Sequence, residues 1–576
     1  MAGIYTNFLA ENNQEEIHGY FFNAKFKTSF KEEVKFKNYR LGRSVLSKFL
    51  DRRFLYEDEK YVCCFEGVLN KKVLAESLIN AFETDLGDYL NELSGTFTGF
   101  VFDKKSVRLS IFTDKLGVKP VYYFFDKAFG FASASEMHVV SKMLRKNKTK
   151  ITANKASLYS LALFGQMYGN HTTVNEITKL NYGSILEVNL KSMHCTTISY
   201  FKISKNVKDV HQEVAAKEIE HRFINAVKEE WDIDLQAGYK KHISLMSGGM
   251  DAKTNALVAK EIGYKNITTY TYGSSKSTDV KIASKLSEEN FENHIIAQLH
   301  NGKYLVENIL ENYIKPTDGL INYSPTATMK HNLEKINFSN YGQLHSGQAG
   351  GFVFGDCAQE NFTVQQSKYS LGINGFIKAK HLIEKVTYLD KELSEYGPDD
   401  SEIFAFKHWF SNGTYFGDRV CNNYIDHNSP FYNIDLVNYN MNLPYKLKKN
   451  QFIYHTWLSK KHPQVLQYKW EKIGMKPNTK YKIFLGGIFK KYYNGAKKKF
   501  NLKYDSMNPI GNWFKKDSNL EKALNIIFET ELAKLSDNEL KRDLTEIYNN
   551  NIFEYRNKFA VISTLLSLKL HFEDEA

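Results

Sequence analysis

Proline is scarce, 9 in 576 residues, and no low-complexity tract or internal repeat interrupts the chain, which sets aside linker arrays and solenoids. Cysteine is scarcer still. The five (Cys63, Cys64, Cys195, Cys357, Cys421) show neither the paired spacing of a zinc site nor a disulfide framework. The adjacent Cys63 and Cys64 fall in an apolar, strand-like run and read as two small buried hydrophobes. Long apolar runs are missing too. The longest late one, FAVISTLLSLKL (Phe559 to Leu570), is far short of a membrane span, carries Lys569, and reads as an amphipathic closing helix. The opening residues MAGIYTNFLAENNQEE lack the basic and apolar regions of a secretory signal, so no transmembrane segment and a cytoplasmic location are expected.

What is present is ordinary in bulk. Hydrophobic content of 42% and charged content of 25% suit a folded chain of two or three domains. The formal charge of +12 is uneven, because KKYYNGAKKKFNLKYDSMNPIGNWFKK (Lys490 to Lys516) supplies a large part of it. A basic, aromatic-laced stretch suits nucleic acid, an anionic membrane surface or a phosphorylated glycan; a solvated lysine-rich insertion, at about 476–516, is the plainer reading.

Texture divides the chain near residue 205. Residues 1–205 alternate short apolar strands with polar turns, best seen in TGFVFDKKSVRLSIFTDKLGVKPVYYFFDKAFGFAS (Thr98 to Ser133). Three strands are expected there, Gly99 to Phe102, Val107 to Thr113 and Val121 to Phe125, with another over Tyr182 to Leu190. Residues 206–576 change to alternating helix and strand, beginning with QEVAAKEIEHRFINAVKEEW, which predicts a parallel sheet covered by helices.

The most informative stretch is HISLMSGGMDAKTNALVAKEIG, His242 to Gly263. A buried-type strand breaks on Gly248 and Gly249, meets Asp251, and continues as a helix closed by Gly263; the next strand is NITTYTYG, Asn266 to Gly273. Backbone N–H groups, the Ser247 hydroxyl and the helix N-terminus of such a unit suit a polyphosphate. The helix end alone contributes only about 0.3–1 kcal/mol, so hydroxyl, amides and a metal must act together. Asp251 makes sense as a ligand to Mg²⁺, a hard ion held by carboxylates and phosphate oxygens; otherwise it is an N-cap or first-turn residue. The turn is neither a Walker A loop nor a dinucleotide fingerprint.

SGGMDA closely resembles the SGGxDS loop of the N-type ATP pyrophosphatases, specifically the asparagine synthetase family. DKLGVKPVYY (Asp114 to Tyr123) resembles that family's N-terminal glutaminase signature, and SPFYNIDLVNYNMNLPYKLK (Ser429 to Lys448) a segment of its synthetase half. The resemblance implies an N-terminal Ntn-hydrolase-like αββα sandwich followed by a doubly wound, parallel-sheet ATP pyrophosphatase domain. It implies ATP and Mg²⁺ as cofactors, a small-molecule carboxylate activated at the expense of ATP, and ammonia or an amine as acceptor. The residues it places around the nucleotide are Leu245, Ser247, Gly248, Gly249, Met250, Asp251, Tyr272, Gly273 and Gly347. Asp251 is the metal ligand, and Asp251 with Gln348 the catalytic pair. Asp279 matches a helix start, where capping is expected. NYSPTATM (Asn322 to Met329) matches a site-lining segment.

The departures are substantial. The family's glutaminase uses a cysteine second in the chain, where this sequence has Ala2. Its oxyanion segment is EGVLN (Glu66 to Asn70), with an acid in place of an amide donor; losing one such donor costs about 3–4 kcal/mol. Ala252 lacks the loop's closing hydroxyl. The second acidic loop reads SGQAGGFVFG (Ser346 to Gly355), with Gln348 for a carboxylate and Gly351 and Phe352 for the metal-holding acids. Gln451 or Phe452 falls where a catalytic lysine belongs, with Lys448 and Lys449 close by. Three readings follow: an amide ligase fed directly by ammonia or an amine, a scaffold that keeps the fold without the chemistry, and a ligase that grips an anionic glycan with the basic segment. Nucleic acid is not expected as a partner, and a homodimer is compatible with all three.

Overall fold

The computed structural model describes residues 3–9, 16–363, 379–479, 481–483, 485–489, 492, 506–550 and 555–573. Ala2 and most of the basic stretch, 490–491 and 493–505, lie outside the described residues.

The first third is built from two six-stranded sheets. One runs in the order Thr178–Lys179, Tyr122–Asp126, Gly130–Ala134, Gly3–Leu9, Tyr39–Leu46, Ser29–Phe36. The other runs His194–Ser199, Ser184–Asn189, Arg108–Thr113, Phe97–Asp103, Tyr61–Gly67, Phe54–Glu57. The alternation read from the sequence has its physical basis here. Cys64, Phe100 and Phe102 face the other sheet's Ile4, Phe8 and Leu41, while Cys63, Phe65 and Val101 face helices Ala75–Glu83 and Leu86–Glu92. Helices Met137–Lys146 and Lys155–Phe164 cover the first sheet, giving four layers, αββα. Cys63 and Cys64 are fully buried free thiols.

The remainder centres on a five-stranded sheet in the order Asn293–Gln298, Ile267–Gly273, Lys241–Leu245, Tyr341–His345, Asp426–Asn428, every pairing parallel. Helices Gln212–Gln236 and Met250–Glu261 pack on one face, Tyr323–Leu333 and Tyr415–Cys421 on the other. Relative to chain order the strands run third, second, first, fourth, fifth. The sheet therefore reverses direction between Lys241–Leu245 and Tyr341–His345, where an open α/β sheet leaves a crevice at its carboxyl ends.

Helix Gln212–Gln236 is pinned to that sheet by a buried charge network. His345 Nδ1 lies 2.6 Å from Glu230 Oε1, His345 Nε2 3.0 Å from Asp234 Oδ2, and His242 Nδ1 2.9 Å from the same oxygen. Trp231 stacks on the His345 ring at 3.9 Å. Burial alone would depress His345, but Asp234 and Glu230 outweigh it and hold the imidazolium up to about 9 against an ordinary 6.5. A raised histidine stabilises the fold fully below pH 6.5 and loses that contribution as pH rises through 9. We expect the stability gap between wild type and His345→Gln, read by urea unfolding, to narrow from pH 6 to above pH 9; a constant gap contradicts this.

The run Phe559–Leu570 corrects its expectation. Helix Arg556–Phe572 is buried nearly all round, from Asn557 to Ser567, rather than amphipathic. Its hydroxyls are buried cheaply because Ser563 Oγ and Thr564 Oγ1 each donate 2.9 Å to the carbonyl four residues back. It packs against Lys155–Phe164, Ser518–Ala533 and Asn538–Tyr548. Trp513 and Phe514, at the end of the basic stretch, are also core, in helix Ile510–Lys516. Among the described residues no helix is long and apolar enough to cross a membrane.

Candidate functional site

The loop after Lys241–Leu245 and the loop after Tyr341–His345 meet at the sheet's reversal point. Leu245 ends the first strand, in register with Tyr270. Ser247 Oγ accepts from Gly249 N–H at 3.1 Å, tightening the turn. Met250, 3% exposed, opens helix Met250–Glu261, whose N-cap Gly249 has no side chain to offer. Asp251 therefore does not cap its own helix. Its Oδ2 accepts the Gly351 N–H across the crevice at 2.9 Å, and its Oδ1 is buried without a hydrogen-bond partner.

The two loops touch backbone to backbone. A Cβ on Gly347 would lie 2.3 Å from Ala252 N and 2.4 Å from the Asp251 carbonyl carbon; one on Gly350 would lie 2.5 Å from Asp251 Cγ. Gln348 is held by its main chain, with its N–H donating to Ser346 Oγ at 3.1 Å and its carbonyl accepting from Ser429 Oγ at 2.8 Å. Tyr272 and Gly273 close the neighbouring strand. Burial pushes the Tyr272 phenol up to about 12. Gly273 needs its glycine: φ is +150°, Val280 and Met507 crowd the Cβ position within 3.4 Å, and Ser274 N–H donates to Met507 O at 2.8 Å.

Asp279 departs from expectation. Helix Thr278–Asn290 is capped by Ser277, and Asp279 Oδ1 instead accepts the Gly248 N–H at 3.2 Å. Glu471 N–H donates to Gly248 O at 3.1 Å. Asn322 caps helix Tyr323–Leu333, and Tyr323 and Thr328 bond to Ser563, Leu305 and Tyr304, away from the loop. Lys448 is sequestered in a buried pair with Glu402, whereas Lys449 is exposed over the Tyr445 ring.

Several groups at the crevice carried no sequence signal. Lys253 is fully buried one turn into the helix and donates to Lys469 O at 2.9 Å; burial lowers it to about 7 against the pull of Asp251 and Asp279. Burial raises Asp251 to about 7, the Tyr454 hydroxyl opposes the shift, and the Asp356 charge adds to it. Asp356 lies on a cleft of ≈ 1090 Å³ with Lys449, Gln451, His455, Trp470 and Lys472. Of the two loops, only Gly355, at the end of the second, lines that cleft; Ser247 to Asp251, Gly347 and Gln348 do not. Both His455 ring nitrogens are buried without partners, and burial lowers this histidine to about 4. Elsewhere Asp234, His242 and His345 bring ligand atoms within 4.8 Å of one another, but those atoms are spent on the network described above.

In the N-terminal sandwich, Glu66 is wholly buried. Its Oε1 receives Arg53 Nη1 at 3.0 Å and lies 3.4 Å from Lys119 Nζ; Arg53 Nη2 donates to Asp426 Oδ2 at 2.7 Å on the parallel sheet's edge. Asp114 anchors the neighbouring turn by accepting the Leu116, Val118 and Lys119 amides at 2.9, 3.2 and 3.0 Å.

No curated protein sequence matches the chain. Among solved structures the chain is similar to "Glutamine phosphoribosylpyrophosphate (PRPP) amidotransferase from B. subtilis complexed with ADP and GMP", with 7% identity over 51% of this chain and 90% of that chain and a TM-score of 0.23. It is also similar to "Structure of the allosteric regulatory enzyme of purine biosynthesis", with 10% identity over 52% of this chain and 74% of that chain and a TM-score of 0.20. Both likenesses are distant. A family model described as a glutamine amidotransferase domain matches residues 69–201, less than a quarter of the chain, so that this part of the sandwich is glutamine-amidotransferase-like.

Proposed function

We propose that the crevice is a nucleotide site of the asparagine-synthetase type, serving an ATP-dependent ligase that joins a small carboxylate to ammonia or an amine. One observation carries the reading. Asp251 presents a buried, unpartnered carboxylate oxygen beside a glycine turn and helix start, at the reversal point of a parallel sheet. A carboxylate oxygen buried without a partner is costly, and a bound cation relieves that cost.

The residues fit Mg²⁺ and a polyphosphate. Asp251 would hold the ion, and the main chain and hydroxyl of Ser247 to Met250 the phosphates, once the Gly248 N–H leaves Asp279 and the Gly249 N–H leaves the Ser247 hydroxyl. Mg²⁺ supplies charge neutralisation on phosphate oxygens. The chain's own contribution is orientation: Gly351 fixes Asp251 through its N–H, and the glycines at 347 and 350 let the second loop close on the first. The proposal leaves out glutamine hydrolysis, because by the resemblance Glu66 falls in the oxyanion segment, where a donor is needed.

The test is calorimetry with ATP in the presence and absence of Mg²⁺, alongside pyrophosphate release screened over carboxylate and amine pairs. Binding steepened by Mg²⁺ is expected, with Asp251→Asn weakening it by about tenfold or more. No binding under either condition, with no pyrophosphate from any pair, sinks the proposal. A scaffold without turnover is the second reading, favoured by the Gly248 amide being already spent on Asp279. Nucleotide binding without pyrophosphate release would select it.

A further inference from the structure

We propose that the basic segment docks on an anionic lipid surface through the outward face of a short helical stretch at its start. Residues 476–516 hold eleven lysines and one acid, Asp505, so nearly all of the formal +12 sits in this part of the chain. Within it, residues 481–483, 485–489 and 492 have helical backbone. Thr479 starts the turn: its Oγ1 accepts the Lys482 N–H at 3.2 Å and its carbonyl the Ile483 N–H at 3.1 Å. The side that packs on the protein carries little bulk. Ile483 is half-buried against the main core, and Gly486 is buried where a Cβ would stand 2.9 Å from Ile473 Cβ and 3.0 Å from Met475 Cγ.

The bulk points the other way. Tyr481, Ile488, Phe489 and Tyr492 are 71, 38, 63 and 75% exposed, and at helical spacing they fall with Leu485 on one stripe about 100° wide. A helix on a protein surrounded by water turns such a stripe to the core; here it faces solvent, and an exposed apolar patch of this kind marks an interaction surface. Charge selects the partner. Lys476 and Lys482 are exposed beside the stripe, and Lys480, Lys490 and Lys491 are interleaved with it in sequence. The partner must therefore be negative and also take up apolar side chains. Nucleic acid meets only the first need, because Leu485 and Ile488 have no π-face to stack on a base. An anionic bilayer meets both: tyrosine and phenylalanine rings rest at headgroup level, leucine and isoleucine reach the acyl boundary, and lysine stems lie along the interface with their ammonium groups on lipid phosphates. No described helix is long and apolar enough to cross a membrane, so this stretch lies on the surface rather than spanning it.

The surface is independent of the nucleotide crevice, and its test uses no nucleotide. The experiment is co-sedimentation of the full chain with vesicles of phosphatidylcholine alone, and of phosphatidylcholine mixed with phosphatidylglycerol. Binding to the mixed vesicles only is expected, weakening as salt is raised. Lys476→Gln and Lys482→Gln should each weaken it about fivefold, the share of one lysine near an anionic surface. Tyr481→Ser, Phe489→Ser and Tyr492→Ser combined should weaken it by at least about tenfold at unchanged net charge, through lost apolar burial. These side chains are exposed, so circular dichroism melts of the variants should match wild type; the wild-type dependence on lipid charge and salt tests the proposal without any variant. Wild type that leaves the mixed vesicles in the supernatant at low salt, or binds both kinds equally, overturns the assignment. So does a folded triple variant that binds as wild type does, which would leave charge alone at work. Preference for a DNA duplex over the mixed vesicles at equal phosphate concentration would assign the segment to nucleic acid and overturn it too.

Discussion

Replacing Arg53 by methionine is expected to cost about 3–5 kcal/mol of folding stability, as removal of one member of a buried ion pair does. The guanidinium is completely buried between Glu66, also completely buried, and Asp426, 7% exposed, so its loss strands two carboxylates at once. Lys119, 3.4 Å from Glu66, compensates only one of them. Adding Glu66→Gln and Asp426→Asn to Arg53→Met should recover much of the loss, because the penalty lies in the unpaired charges more than in the missing pair. Urea unfolding of the single and triple variants measures both. A single variant within about 0.5 kcal/mol of wild type, the usual size of a surface change, contradicts the arrangement.

The second large effect is expected at Gly347→Ala. The new methyl group would meet main-chain atoms of Asp251 and Ala252 at 2.4 and 2.3 Å, and main chain cannot swing aside as a side-chain tip can. The second loop must then lift away from the first. Overpacking of this kind costs about 1–3 kcal/mol, and nucleotide binding and its dependence on Mg²⁺ should be lost together because the Gly351 N–H leaves Asp251. Gly19→Ala is the matched control, since no atom lies within 4 Å of its Cβ position. Thermal melts and calorimetry on the two variants decide it; Gly347→Ala that binds as wild type does would show that the crevice need not close.

Much of the architecture was legible because the signals were local. Gly248, Gly249 and Gly263 bracket a helix between two strands, and the structure has that unit with helix Met250–Glu261 and strand Ile267–Gly273. The strands expected over Gly99 to Phe102, Val107 to Thr113 and Val121 to Phe125 are present as Phe97–Asp103, Arg108–Thr113 and Tyr122–Asp126. Side chains that reach across the chain were not legible. Asp279 looks like a cap because it begins a helix, yet its oxygen is spent on Gly248, 31 residues away. Asp356 lies just past SGQAGGFVFG, where only the turn of the backbone reveals that it fills the gap at Gly351. Glu66 read as a misplaced acid; Arg53 balances it, and that the same guanidinium is shared with Asp426 depends on a pairing 373 residues apart. Helix Arg556–Phe572 misled because its serines and threonines look like a polar face until their hydroxyls are seen to bond within the helix.

That helix also governs the order in which the molecule can be completed. Ser567 Oγ meets Thr173 Oγ1 at 3.0 Å, and His571 joins Ser141 and Asp318 at 2.9 Å each, so the covering helices of the amidotransferase-like sandwich are sealed by residues synthesised some 400 positions later. Until those residues leave the ribosome, part of the apolar side of Lys155–Phe164 lacks cover. The N-terminal sheets can pair early, but their outer layer is completed last, and a nascent chain halted before residue 556 would present a sticky surface to chaperones.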